Sequence, residues 1–164
     1  MKKHWSITIV ASCCLALLAL QCNQPPPDTR AADETAIRSI NPNWFKAHNA
    51  GDANSIVALY AEDAVVNPPG APAARGQAAI REYFTKDVAA SAAAGMTLNG
   101  STTTDAGVSG DLGWEWGTFT AKDKSGATVD AGKYVTVYAR KGGKWLIIRD
   151  IWNSDGPMQT PGTK

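Results

Sequence analysis

Helices first, one strand among them, then an antiparallel meander: the sequence predicts an α+β domain with helices on one side of a curved sheet. Three observations predict it. Apolar residues recur at helical spacing between Asp33 and Val88, and from Met96 onward β-branched and aromatic residues take over. Gly142 and Gly143 then separate two strand-like runs, a pair suited to the two positive φ values of a type I′ hairpin turn.

The chain has 164 residues, enough for one ordinary domain and a single core. Lys2 and Lys3 lead into an apolar run from Ile7 to Leu20 that stops near Cys22, before Asn23, Gln24 and three prolines. This reads as a bacterial export signal over residues 1–22, too short for a spanning helix. All three cysteines, Cys13, Cys14 and Cys22, lie in it, so the exported domain has no disulfide to rely on. Cys22 sits where a lipidated cysteine would, although Gln21 before it is not the usual small residue; Val10 to Cys13 spell that pattern better, and plain secretion is the alternative. The expected location is periplasmic, membrane-anchored or secreted. Without Lys2 and Lys3 the 16 basic residues become 14 against 15 acidic ones, and no basic run exists to bind nucleic acid.

A Pro-rich tether over 23–32 precedes the domain, expected at 33–155, with a flexible tail at 156–164. Ile37, Ile40, Trp44 and Ala47 form the stripe of a first helix, in which Pro42 marks either a kink or a first turn. Asp52 or Asn54 caps a short helix holding Ile56, Val57, Leu59 and Tyr60. Ala64 to Asn67 reads as a strand, and Gly76 opens a helix with Ile80, Tyr83, Phe84 and Val88 on one face, extending to Gly95. Strands follow at Met96 to Thr104 and Leu112 to Lys122, with a turn at Asp123 to Gly126. The hairpin closes the domain. A two-residue turn without irregularity pairs Val137 with Ile148, Val135 with Asp150 and Lys133 with Trp152. That register sets Asp150 and Trp152 on one face with Val135 and Val137, and Tyr134, Thr136, Tyr138 and Ile147 on the other. Both faces are apolar enough to need cover, by helices on one and a second subunit on the other; a pocket is expected on the Asp150 face and a dimer contact on the aromatic face of Tyr134, Tyr138 and Trp145.

Asn49 to Asp52, Ile56 to Leu59, Ala61, Asp63, Ala64, Gly76 and Ala79 to Glu82 resemble the front half of ketosteroid isomerases. Gly132 to Tyr134, Gly143 to Trp145 and Asp150 to Asp155 are similar to secreted members of the nuclear transport factor 2-like (NTF2-like) superfamily near the SnoaL-like cyclases. The resemblance implies a cone-shaped barrel in which N-terminal helices pack on a strongly curved, mainly antiparallel sheet. It also implies a pocket between the two layers and, often, a homodimer. The isomerase chemistry does not carry over residue by residue. Asn67 stands where the family's aspartate base would, and an amide cannot be a general base. Trp44 and Val135 fall at or near the two oxyanion donors.

Asp150 is the leading candidate acid or base, or the anchor of a ligand, with an ion pair to Lys133 as the plainer alternative. His48, the only histidine beyond the leader, is a candidate partner in catalysis or else a helix-end cap or surface residue. Trp114 and Trp116 share a strand face, with Glu115 opposite, and either wall a site for a flat apolar ligand or pack in the core or a dimer contact. Trp44, Tyr60, Asn67, Lys133, Trp152 and Asn153 complete the expected ligand-binding set. No histidine or cysteine cluster, phosphate loop or nucleophile elbow is present, so no metal or cofactor is expected. The sequence thus points to a pocket for a small, largely apolar ligand. An acid/base enzyme of the isomerisation, hydration or cyclisation type and a module with a self-filled pocket are the alternatives.

Overall fold

The computed structural model describes residues 28–100 and 105–156. The export leader, Cys22, most of the tether and the segment 157–164 lie outside the described residues. Among the described residues four helices and seven strands follow one another: α1 (Arg30–Arg38), α2 (Ile40–Asn49), α3 (Ala53–Val57), β1 (Tyr60–Asn67), β2 (Ala74–Arg75), α4 (Gly76–Ala94), β3 (Thr97–Gly100), β4 (Asp105–Ser109), β5 (Leu112–Lys122), β6 (Thr128–Lys141) and β7 (Lys144–Ser154). The α+β expectation is borne out. The strands form one sheet in the order β2-β1-β7-β6-β5-β3, with β4 pairing the other half of β5, and every pairing but β1 with β7 is antiparallel.

The helical stretch breaks at Ser39, and Pro42 falls in the first turn of α2, where its missing N–H costs nothing. Asp52 caps α3: its Oδ1 accepts a 3.0 Å hydrogen bond from the Ser55 amide. Tyr60, expected on that helix, instead opens β1 and is fully buried. Its β propensity and the pairing with Ile147 of β7 outweigh the helical spacing. α4 buries Ile80, Phe84 and Val88, and Gly95 ends it in the left-handed conformation, φ 65°. Of the strand expected over Met96 to Thr104, Thr97 to Gly100 forms β3 on one half of β5 and residues 101–104 lie outside the described residues; β4 pairs the other half. The core joins α1 to α4 to the concave face of the sheet through Ile37, Ile56, Tyr60, Val66, Phe84, Tyr138 and Ile147. Each such side chain contributes about 1.5–3 kcal/mol when fully buried.

The hairpin turn is as expected, with Gly142 and Gly143 at φ 57° and 76° and Lys141 opposite Lys144. The register beyond it is not. Tyr138 pairs with Ile147 but Val137 pairs with Arg149, so a bulge at Ile148 inserts one residue into β7. Thr136 therefore faces Asp150 and Tyr134 faces Trp152. Because side chains alternate with period two, that one residue carries Asp150 and Trp152 to the face of Tyr134, Thr136 and Tyr138. This is the concave, helix-covered face. Val135 and Ile151 point outward and are 40% and 52% exposed.

Candidate functional site

The bulge brings together a pocket at the wide end of the concave face. Asn41, Trp44 and Phe45 of α2, Leu98 of β3, Phe119 of β5, Tyr134 and Thr136 of β6, and Asp150 and Trp152 of β7 line it. Its cavity volume is about 60 Å³, small beside the usual range for drug-sized ligands, and it opens to solvent.

Asp150 is the polar centre. Tyr60 donates a hydrogen bond of 2.6 Å from Oη to Asp150 Oδ2, and Thr136 donates one of 3.2 Å from Oγ1 to Oδ1. Trp44 Nε1 donates in turn to Tyr60 Oη at 3.1 Å, so an indole, a phenol and a carboxylate form one directed chain. Burial raises the Asp150 carboxyl to about 6. The bonds from Tyr60, Thr136 and the Ile151 amide oppose that rise, and the charge of Glu115 adds to it. Tyr60 and Tyr138 are pushed well above the ordinary phenol value, first by burial and then by the neighbouring carboxylates. They donate hydrogen bonds and do not ionise.

Behind the pocket, Glu115 is completely buried. It accepts hydrogen bonds from Tyr134 Oη at 2.9 Å and Tyr138 Oη at 3.1 Å, and Asn41 Nδ2 donates to Tyr138 Oη at 3.2 Å. Gly113 and Gly117 flank Glu115 on the same strand face, and a Cβ at Gly117 would collide with the Tyr134 hydroxyl. Small residues on the concave face of β5 are what admit this tyrosine-carboxylate network.

Of the residues singled out in the sequence, the structure gathers Trp44, Trp152 and Asp150 at the pocket, with Tyr60 supporting Asp150 from behind. The others lie elsewhere. Trp114 and Trp116 are on the convex face, 41% and 37% exposed, because the alternation that buries Glu115 turns them outward. Lys133 is also outward and pairs with Asp155, so it does not reach Asp150. Asn153 donates to the Ser154 carbonyl on the exposed side. Asn67 donates to the backbone carbonyl of Asp150 at 3.3 Å without lining the pocket, and so braces β1 against β7. His48 is neither a surface residue nor a pocket residue. It is 3% exposed, its Nε2 is 2.9 Å from Asp87 Oδ2, and its ring stacks on Trp44 at 5.2 Å.

Sequence reasoning missed Asn41, Phe45, Leu98, Phe119, Tyr134 and Thr136 as pocket residues. Phe119 was the legible one, since it shares parity with Gly113, Glu115 and Gly117. Thr136 and Tyr134 were hidden by the bulge. Among the described residues no cluster of histidine, cysteine or carboxylates is arranged to hold a metal, and no helix is long and apolar enough to cross a membrane.

A curved sheet wrapped on N-terminal helices around a pocket of this kind defines the NTF2-like class of α+β folds. The chain belongs to the SnoaL-like domain family, whose profile matches residues 43–148. Among solved structures it is similar to an NTF2-like protein with a cystatin-like fold from Novosphingobium aromaticivorans, with 22% identity, a TM-score of 0.70, and coverage of 78% of this chain and 86% of that one. An NTF2-like protein from Pseudomonas putida gives 22% identity and a TM-score of 0.70 over 79% and 91% of the two chains. A ketosteroid isomerase-like protein from Erwinia carotovora atroseptica gives 20% identity and 0.59 over 76% and 98%. At these identities the likeness is one of fold. No curated protein matches the chain.

Proposed function

We propose that this domain binds a small, largely apolar ligand in the concave pocket, with Trp44, Phe45, Phe119 and Trp152 as walls and Asp150 as the polar anchor. The observation that carries this reading is a single buried carboxylate, 7% exposed, set among aromatic rings in a space open to solvent. That open space beside Asp150 favours a binding site over a module whose pocket is filled by its own side chains. Asn67 and Trp44, which stand where the family's base and one oxyanion donor would, support a role other than isomerisation by the ketosteroid mechanism.

The test is tryptophan fluorescence of the full chain titrated with flat apolar compounds, including steroids and polyketide-like aromatics. A saturable change that is lost in Trp152→Phe and kept in Trp114→Phe supports the reading, because the two indoles lie on opposite faces of the sheet. No saturable change with any compound would sink it.

A second reading, an acid/base enzyme acting through Asp150, is favoured by that carboxyl's position near 6 within the pocket. His48 has no part in it. An Asp150→Asn variant that binds ligand but turns nothing over supports the enzyme. We further propose that the domain acts outside the bacterial cytoplasm, following its leader, and that it pairs as a homodimer. The dimer contact passes from the Tyr134 and Tyr138 face, which is buried, to the convex patch of Trp114, Trp116, Val135 and Ile151.

A further inference from the structure

Given that the concave pocket is a binding site, the reading on which this narrowing rests, its electrostatics restrict the class of ligand. Asp150 accepts hydrogen bonds on both oxygens, from Tyr60 on Oδ2 and from Thr136 on Oδ1, and the Ile151 amide adds a third donor. These three donors oppose the burial that favours its acid form, and above about 6 the group is a carboxylate. Yet it lacks a counterion. No lysine, arginine or histidine is among the pocket-lining residues, Lys133 is committed to Asp155, and no cation among the described residues pairs with Asp150. The other titratable groups facing it from the packed elements are Tyr60 of β1, Tyr83 of α4, Tyr138 of β6 and Glu115 of β5, none of which can supply positive charge. A buried, unneutralised carboxylate is costly, and a ligand that brings the missing charge recovers that cost on binding. The rings of Trp44, Phe45, Phe119, Tyr134 and Trp152 around the same space are the surfaces on which a cation is further stabilised.

We infer that the pocket selects a compact apolar molecule carrying one protonated amine, whose ammonium group pairs with Asp150 while its body lies against the aromatic walls. A neutral hydroxyl satisfies one lone pair and leaves the charge in place. An anionic ligand meets the Asp150 carboxylate and is excluded.

The measurement compares 2-phenylethylamine with 2-phenylethanol, which share a ring and chain and differ in charge, by tryptophan fluorescence and calorimetry of the full chain at pH 5 and pH 7.5. The amine should bind at least about 10-fold tighter than the alcohol at pH 7.5. That ratio should fall toward one at pH 5, where Asp150 takes up its proton. In the amine complex, the Asp150 carboxyl carbon, followed by NMR, should titrate below its free value of about 6. Saturable binding of the alcohol with equal or greater affinity at pH 7.5 overturns the cation inference and leaves the pocket reading standing. Saturable binding of neither compound, nor of any flat apolar compound, overturns both. The unmodified protein carries the comparison; Asp150→Asn, where it folds, should equalise the two affinities.

Discussion

The Tyr60 hydroxyl donates a 2.6 Å hydrogen bond to Asp150 Oδ2, joining the first strand of the sheet to the last across 90 residues of sequence. The bond lies beside the parallel pairing of β1 with β7, where Val66 is opposite Asp150. It sets both the orientation and the acidity of the pocket carboxylate, since it favours the charged form of a group that burial disfavours. Tyr60→Phe removes that donor and leaves the Trp44 indole N–H without its acceptor. The Asp150 carboxyl should then titrate above its present value of about 6, read by carboxyl carbon NMR. An unchanged or lower value would show that the phenol does not tune it.

Asp150 also shapes stability against pH. Its folded value, about 6, lies above the ordinary aspartate value of 3.8, so between these two values the folded chain holds a proton that the unfolded chain has lost. Stability contributed by this group is therefore greatest below about 4 and is lost as pH rises through 6, by on the order of 3 kcal/mol in total. In Asp150→Asn that dependence disappears. Denaturant unfolding of both proteins at pH 4.5 and 7.5 should show the native protein losing ground to the variant at the higher pH. Parallel curves would refute the assignment.

Arg140 ties the N-terminal helix to the sheet. Its guanidinium donates to Asp33 at 2.5 Å and Asp111 at 3.0 Å and lies 4.6 Å from the Trp145 ring centre, while Trp145 Nε1 donates to Asp33 at 3.1 Å. Arg140 and Thr29 together hold the Asp33 carboxyl well below the usual range. Arg140→Ala leaves the Asp33 carboxylate short of its main partner and should lower Tm. The loss should shrink as pH falls below about 4, where Asp33 of the unfolded chain takes up a proton and the pair's contribution to stability declines. Calorimetry at two pH values checks both parts.

Gly117 faces the Tyr134 hydroxyl so closely that any Cβ displaces it. Gly117→Ala should break the Tyr134 bond to Glu115 and destabilise the domain by about 1–3 kcal/mol, mostly through strain and an unsatisfied buried acceptor. Unchanged stability in Gly117→Ala would argue that Tyr134 yields freely.

The convex patch gives an association test. Trp116 is paired across the sheet with Val135, and Val135 with Ile151, so three exposed apolar side chains stand in one row. Sedimentation of the native chain at micromolar concentration should show a dimer, and Trp116→Lys should shift it to monomer with its melting profile per chain otherwise cooperative. A native monomer would remove the dimer proposal.

Much of this protein was determined by local sequence. The order of elements, the Asp52 cap, the apolar stripe of Ile80, Phe84 and Val88, the Gly95 stop and the Gly142, Gly143 turn all follow from interactions within a few residues. Periodicity and turn chemistry record such interactions directly, and the likeness to ketosteroid isomerases supplied the layering. The site itself was legible only in part. Asp150, Trp44 and Trp152 were found as pocket residues, yet Asp150 was given the wrong neighbours, and Trp114, Trp116, Lys133 and Asn153 were drawn inward when they face out. One residue accounts for the central error. The bulge at Ile148 reverses the faces of everything after it in β7, and no feature of the hairpin's own sequence announces it. It is set by contacts that arrive from far along the chain: Tyr60 reaching Asp150 from β1, and Tyr134 and Tyr138 turned toward Glu115 of β5. A strand's alternation is a local property, but which of its faces is inside is decided by the partners that close over it, and only the tertiary structure holds those.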